Sequence, residues 1–243
     1  MSLLQRVLAL AVEYGLIASN PAEGRARRAK TKAPERSYLD SADQIAALLD
    51  AASVLDERAT TQRGLRRAML ATLVFAGLRI GEALALNWTD VDLASGRLAV
   101  PGTKTRAARR QVQMFPALRE ALSDWRAACG GDGLVFATTN GAHWQPSNVR
   151  RRILAPAVEI AREQTPMPDV TPHGLRRTYV SICFKLGIPA TDCMASVGHT
   201  SAALTLEFYA RPMSTDANGT ALLARTVGTE HTTAMTKGAP ASR

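Results

Sequence analysis

A chain of 243 residues, 46% apolar and 21% charged, is long enough to bury a core without covalent staples and too apolar for wholesale disorder. Its three cysteines, Cys129, Cys183 and Cys193, form no CxxC pair, which argues against a disulfide framework or a zinc site, and no apolar run reaches the roughly 18 residues of a membrane span. The net charge of +9, from 30 basic and 21 acidic residues, predicts a polyanionic partner, of which nucleic acid is the commonest.

Leu4, Val7, Leu8 and Ala11 recur at helical spacing, so Leu3 to Leu16 reads as an amphipathic helix stopped by "SNPAEG". The following "GRARRAKTKAPER" reads either as a basic linker able to lie along a phosphate backbone or as a solvated connector. A capped helix begins near Asp40 and carries Ile45, Leu48 and Leu49 inward. A very apolar helix follows from Arg66 to Phe75 and ends at Gly77.

Between Arg97 and Met114 the pattern changes to short extended pieces, "RLAV", "PGTKT" and "RQVQM", which imply a small antiparallel sheet. Helices resume over Pro116 to Ala128, Ser147 to Arg162, Gly174 to Leu186 and Ala202 to Tyr209. The tail beyond Thr226 is polar and rich in small residues, and is expected to be disordered. The fold class expected is mainly α with one small antiparallel β-sheet.

Cleaving a phosphodiester without a metal requires fixed cations on the non-bridging oxygens, a nucleophile, and an acid for the leaving oxygen. Arginine suits the first task because its planar fork donates two hydrogen bonds to one phosphate. Arg79 in "GLRIGEAL" and Arg176 in "HGLRRTY" are the candidates. On a helix starting near His173, Leu175, Tyr179, Ile182 and Leu186 make one buried stripe, so Tyr179 reads as core. His173 and Arg176, three apart, share another face. Tyr209, ten residues after His199, is an interfacial aromatic on its own evidence, and a nucleophile only if cations gather around its hydroxyl. Of the 30 basic residues only five are lysines, and Lys104 alone lies between Lys32 and Lys185.

The series GLRxGEAL, a hairpin lysine, HGLRRT, VGH and a tyrosine ten residues later is similar in order and spacing to the tyrosine recombinase (phage integrase) family. The resemblance runs from about Leu39 to Pro212 and takes in "LNWTDVD", "TKTRAARRQVQMFP" and "GLVFATTNG". It implies that family's catalytic-domain fold over 37–213, with a C-terminal tail over 214–243. Residues 1–36 would be the last helix of a core-binding domain plus its basic linker, the rest of that domain being cut away by nature or by cloning.

The resemblance also implies roles. Arg79 and Arg176 would grip the scissile phosphate, with Glu82 supporting them, although Glu82 also reads as an ordinary i to i+3 ion pair. Lys104 would be the general acid toward the leaving 5′ oxygen, His173 would transfer protons, and His199 would hydrogen-bond the phosphate and buttress Tyr209. Arg106 and Arg150 would meet the DNA backbone, and Arg177 would meet the DNA backbone or solvent. The activity implied is site-specific DNA cleavage and rejoining through a 3′-phosphotyrosyl ester, with no metal, nucleotide or other cofactor. The implied partner is double-stranded DNA, bound by a homo-oligomer, a tetramer, that is a monomer when free. The implied location is the prokaryotic cytoplasm, at the nucleoid. Two other activities fit the same residues: a type IB topoisomerase, or a catalytically silent DNA-binding remnant.

Overall fold

A computed structural model describes residues 3–23, 37–100 and 110–198. The chain divides into two compact units, Met1–Glu35 and Arg36–Arg243. In the first, helix α1 (Leu3–Glu13) leaves Leu3, Leu4, Val7 and Leu10 exposed. It stops short of the expected Leu16 because Gly15 takes a positive φ of 66°. The turn that follows folds back on the helix, Asn20 donating to the Gln5 carbonyl at 3.1 Å and Gln5 to the Ala22 carbonyl at 3.0 Å.

In the second unit, α2 (Ala42–Glu57) opens with a reciprocal cap. Ser41 Oγ accepts the Gln44 N–H at 3.2 Å, and Gln44 Oε1 accepts the Asp40 N–H at 2.9 Å, so two otherwise orphaned donors are satisfied. Helix α3 (Leu65–Phe75) is buried on every side from Ala68 onward, as an all-apolar run requires, and packs against α2, α5 and α8. Its N-terminus is held by Asp56, a buried carboxylate at the end of α2. Asp56 accepts the Arg66 N–H at 3.2 Å and the Arg67 N–H at 2.9 Å.

A five-residue helix α4 (Ile80–Leu84) follows, then a 3-10 turn at Trp88–Asp90. Strands β1 (Val91–Asp92), β2 (Arg97–Val100) and β3 (Arg110–Gln113) form an antiparallel sheet in that order. Val91 faces Leu98, and Leu98 faces Val112, so one side of the sheet lies in the core. The expected extended piece "PGTKT" lies outside the described residues.

Helix α5 (Pro116–Cys129) starts with proline at its first position and stops at Gly130, φ 87°. The single helix expected over Ser147 to Arg162 is instead α6 (Pro146–Val149), a π turn at Arg150–Leu154, and α7 (Ala155–Arg162). The cause is Pro156, which has no N–H for the carbonyl four residues back and whose ring would collide with it; widening the helix relieves both. Helix α8 (Pro172–Lys185) is capped by Thr171, whose hydroxyl accepts the Gly174 N–H at 3.0 Å. The chain before α2 crosses α8 so closely that a Cβ on Gly174 would strike the Ser37 carbonyl, and the Leu39 N–H donates to Thr178 Oγ1 at 2.9 Å. Helix α9 (Ala190–Val197) ends at Gly198, φ 63°. The expected helix Ala202 to Tyr209 and the tail beyond Thr226 lie outside the described residues. Among the described residues the architecture is mainly helical with one small antiparallel sheet, as the sequence predicts.

Candidate active site

Arg79 is the residue at which the chain enters α4, and Glu82, one turn on, closes that helix from within. The Glu82 carboxylate accepts the Arg79 backbone N–H at 2.8 Å and its guanidinium Nη1 at 2.8 Å. The side chain of Arg79 is 51% exposed and that of Glu82 is 3% exposed. A carboxylate so buried needs more than one partner. It finds a second in Arg110 at the start of β3, whose two terminal nitrogens reach its two oxygens at 3.1 and 2.7 Å. Arg176 stands third, 3.9 Å away.

Burial alone would push the Glu82 carboxyl up, but the Arg110 fork and the Arg79 N–H groups overcome it and hold the pKa down, at about 2. Glu82 is therefore an anion among three guanidinium groups, and both readings of the sequence apply: it makes the i to i+3 ion pair, and it joins the two arginine motifs.

Arg176 differs from expectation. It is not presented on an open helix face with His173 but is 2% exposed, while His173, a turn earlier, is exposed. Its Nη1 donates to the Gly77 carbonyl at 2.8 Å and its Nη2 to the Val197 carbonyl. Burial and then the neighbouring Arg79 pull its pKa down to about 10, which leaves it charged at neutral pH. Gly77 is fixed by this arrangement: at φ 60° a Cβ there would sit 2.5 Å from the ring of Tyr179. Tyr179 is buried in the core, as its stripe predicts, and burial raises its hydroxyl pKa well above the ordinary value.

The C-terminal end of α9 completes the cluster. Three consecutive carbonyls each accept from a different arginine: Ser196 from Arg110 Nε at 2.7 Å, Val197 from Arg176, and Gly198 from Arg79 Nη2 at 3.3 Å. Cations suit this end of a helix, where the unpaired carbonyls carry partial negative charge. Three guanidinium groups and one carboxylate leave a net positive charge, with Arg79 its most exposed member. That is a site for an oxyanion. His173 feels the same field: burial, then the charges of Arg177, Arg176 and Arg79, lower its pKa, so it is neutral at neutral pH.

The described residues thus bring Arg79, Glu82, Arg176 and His173 together. Arg177 is partly exposed beside them on α8, and Arg150 is exposed with Arg151 and Arg152 on the π turn. Lys104, Arg106, His199 and Tyr209 lie outside the described residues. The reading of the sequence missed Arg110. Strand alternation contains the signal, because Arg110 is two residues from buried Val112 and so faces inward, where a cation requires a buried partner.

A family model for the phage integrase family matches residues 40–215. The chain is 33% identical over 174 residues to the tyrosine recombinase XerC of Xylella fastidiosa (strain 9a5c), covering 70% of this chain and 54% of that protein. It is 26% identical over 159 residues to the integrase of Staphylococcus phage L54a, covering 55% of this chain and 44% of that protein. It therefore spans about half the length of these relatives. Among solved structures, XerA recombinase superposes with a TM-score of 0.60 at 22% identity, covering 83% of this chain and 66% of that one. A lambda integrase dimer bound to a COC′ core site superposes with a TM-score of 0.66 at 21% identity, covering 88% of this chain and 58% of that one.

Proposed function

This chain belongs to the phage integrase family, and from that premise we propose that it is the catalytic part of a site-specific DNA recombinase that cleaves and rejoins double-stranded DNA. The Tyr209 hydroxyl passes its proton to the neutral His173 and attacks phosphorus; the Tyr–O–P bond forms as the P–O5′ bond breaks. Lys104 protonates the departing 5′ oxygen. A 5′-hydroxyl from a second strand then attacks the same phosphorus and releases Tyr209, so the bond energy is conserved and no ATP is consumed. Arg79 and Arg176 stabilise the charge that grows on the non-bridging oxygens, and Glu82 holds the two arginine motifs in register. His173, neutral at the start, is able to take up a proton, and His199 hydrogen-bonds the phosphate.

The observation that carries this reading is the meeting of two distant motifs on one buried carboxylate. Glu82 is bonded to Arg79 at 2.8 Å and lies 3.9 Å from Arg176, with the exposed His173 in the field of both arginines. The matched region runs from residue 40 through Tyr209 to 215, so it includes every residue given a role here.

Double-stranded DNA is the partner, attracted by the charge of +9 and met at its backbone by Arg106, Arg150 and Arg177. Assembly on DNA is as a homo-oligomer, a tetramer; the solved lambda integrase relative is a dimer on its core site. Residues 37–213 form the catalytic domain, followed by a tail over 214–243. Residues 1–36 are the last helix of a core-binding domain with its basic linker, a reading that the exposed apolar residues of α1 support.

The test is incubation with a nicked duplex whose short 5′ fragment diffuses away after cleavage. A covalent protein–DNA adduct should accumulate with the wild-type chain and vanish in Tyr209→Phe. An adduct that survives this change would overturn the assignment, and relaxation of supercoils without exchange between two duplexes would replace recombination by a topoisomerase activity.

A further inference from the structure

The resemblance gives no role to Arg110, within "TKTRAARRQVQMFP", yet its side chain donates three hydrogen bonds in the cluster, against two each from the side chains of Arg79 and Arg176. We infer that it is a positioning residue for the cleavage proposed above, on which this inference rests: it clamps the end of α9 and the start of β3 onto Glu82, and so onto the two phosphate-gripping arginines.

Three observations carry the inference. First, Arg110 spends its whole fork inside the protein. Both terminal nitrogens go to Glu82 at 3.1 and 2.7 Å and Nε goes to the Ser196 carbonyl at 2.7 Å, with the side chain 15% exposed. With every nitrogen of its fork on a protein acceptor, the guanidinium is a brace between Glu82 and α9.

Second, α9 is held at three successive carbonyls by three arginines whose mutual repulsion is offset by the Glu82 carboxylate and by the carbonyl end of the helix. Removing one member therefore changes the spacing of the others. Arg110 and Arg79 each join the Glu82 carboxylate to the end of α9 through one planar group, and the Arg110 link is the shorter and less exposed of the two, with 2.7 Å to Ser196 against 3.3 Å to Gly198.

Third, the chain leaves α9 against Arg110. Gly198 takes φ 63°, and a Cβ there would lie 3.3 Å from Arg110 Nη1. The next residue in sequence is His199, and six residues before Arg110 is Lys104. The brace thus stands at the root of both segments that are to deliver side chains to the phosphate. An error of about 1 Å in such delivery is enough to cost about 100-fold in rate.

Arg110→Gln and Arg110→Lys should be compared with the wild-type chain. Single-turnover cleavage of the nicked duplex at saturating DNA, DNA affinity by anisotropy, and amide hydrogen exchange are the three readouts. In Arg110→Gln the cleavage rate should fall about 10- to 100-fold while Kd stays within about threefold. Lysine keeps the charge but donates from a single point, so Arg110→Lys should remain nearer to the glutamine variant than to wild type.

Exchange at the Gly198 amide, which caps α9 by donating to Met194, should rise at least about tenfold, while amides in α3 are unchanged. An unaltered rate, or full recovery with lysine, would overturn the positioning role, and so would a parallel loss of rate, affinity and α3 protection. If the wild-type chain itself forms no adduct, the activity proposed above fails. The exchange comparison then decides the brace alone: unchanged protection at Gly198 refutes it.

Discussion

Glu82 carries the electrostatics of the cluster, so its substitution and its titration make separate predictions. Its carboxyl pKa falls from 4.5 to about 2 on folding. A depressed acid stabilises the fold above the unfolded pKa and loses that contribution as pH falls through the folded one. The contribution is therefore complete above about pH 4.5 and lost by about pH 2, and the shift corresponds to about 3 kcal/mol. Urea unfolding of Glu82→Gln should show a loss of about 3 to 5 kcal/mol at neutral pH, because Arg110 and Arg176 would be left buried without their anion. It should also show a shallower fall in stability between pH 4.5 and 2 than the wild type. A variant as stable as wild type would mean that the carboxylate is dispensable to its three neighbours. Gly77→Ala should be destabilising by about 2 kcal/mol or more in the same assay, since the added methyl meets both a left-handed backbone and the Tyr179 ring at 2.5 Å.

Among the helices, α3 depends on a cap that is not its own. Asp56, in the last turn of α2, closes the first turn of α3, so Asp56→Ala should cost about 2 kcal/mol and raise hydrogen exchange at the Arg66 and Arg67 amides before the rest of the helix. Equal protection at those amides would show that the cap is immaterial. Elements with a full apolar period and local stop signals were legible in the sequence. The starts of α2 and α8 are set by Ser41 and Thr171, and α5 lies between Pro116 and Gly130, all visible as residue types. Helix α4 and strand β1, with five and two residues, are too short to display a period. Helix α9 was missed because only Cys193 and Val197 of its eight residues are buried. The π turn at Arg150–Leu154 was not legible, because a proline in mid-helix such as Pro156 can stop, kink or widen the helix and residue type alone does not choose among these.

The site divides in the same way. Arg79 and Arg176 were legible because each sits in a compact motif. Arg110 was not, because its partner Glu82 is 28 residues away and only the folded chain joins them. The burial of Arg176 was hidden for a related reason: helical spacing gives its face but not the carbonyls of Gly77 and Val197 that close over it.

Charge acts over the full surface. With +9 overall and Arg150, Arg151 and Arg152 each exposed, affinity for duplex DNA should fall linearly in a log–log plot against salt. Replacing all three by glutamine should lower that slope by up to about 3, one for each phosphate that an arginine no longer neutralises. An unchanged slope would mean that these three arginines do not meet the DNA.

The most direct test of the guanidinium cluster as a phosphate clamp is to remove the charge from the phosphate instead of from the protein. On an ordinary nicked duplex, Arg79→Ala should cleave about 100- to 1000-fold more slowly than wild type. With a neutral methylphosphonate at the scissile position, that penalty should shrink to a few-fold, because the non-bridging positions carry one unit less negative charge and Arg79 has correspondingly less to stabilise. The same penalty on both substrates would mean that Arg79 does not serve the phosphate, and the chemistry assigned to this cluster would be wrong.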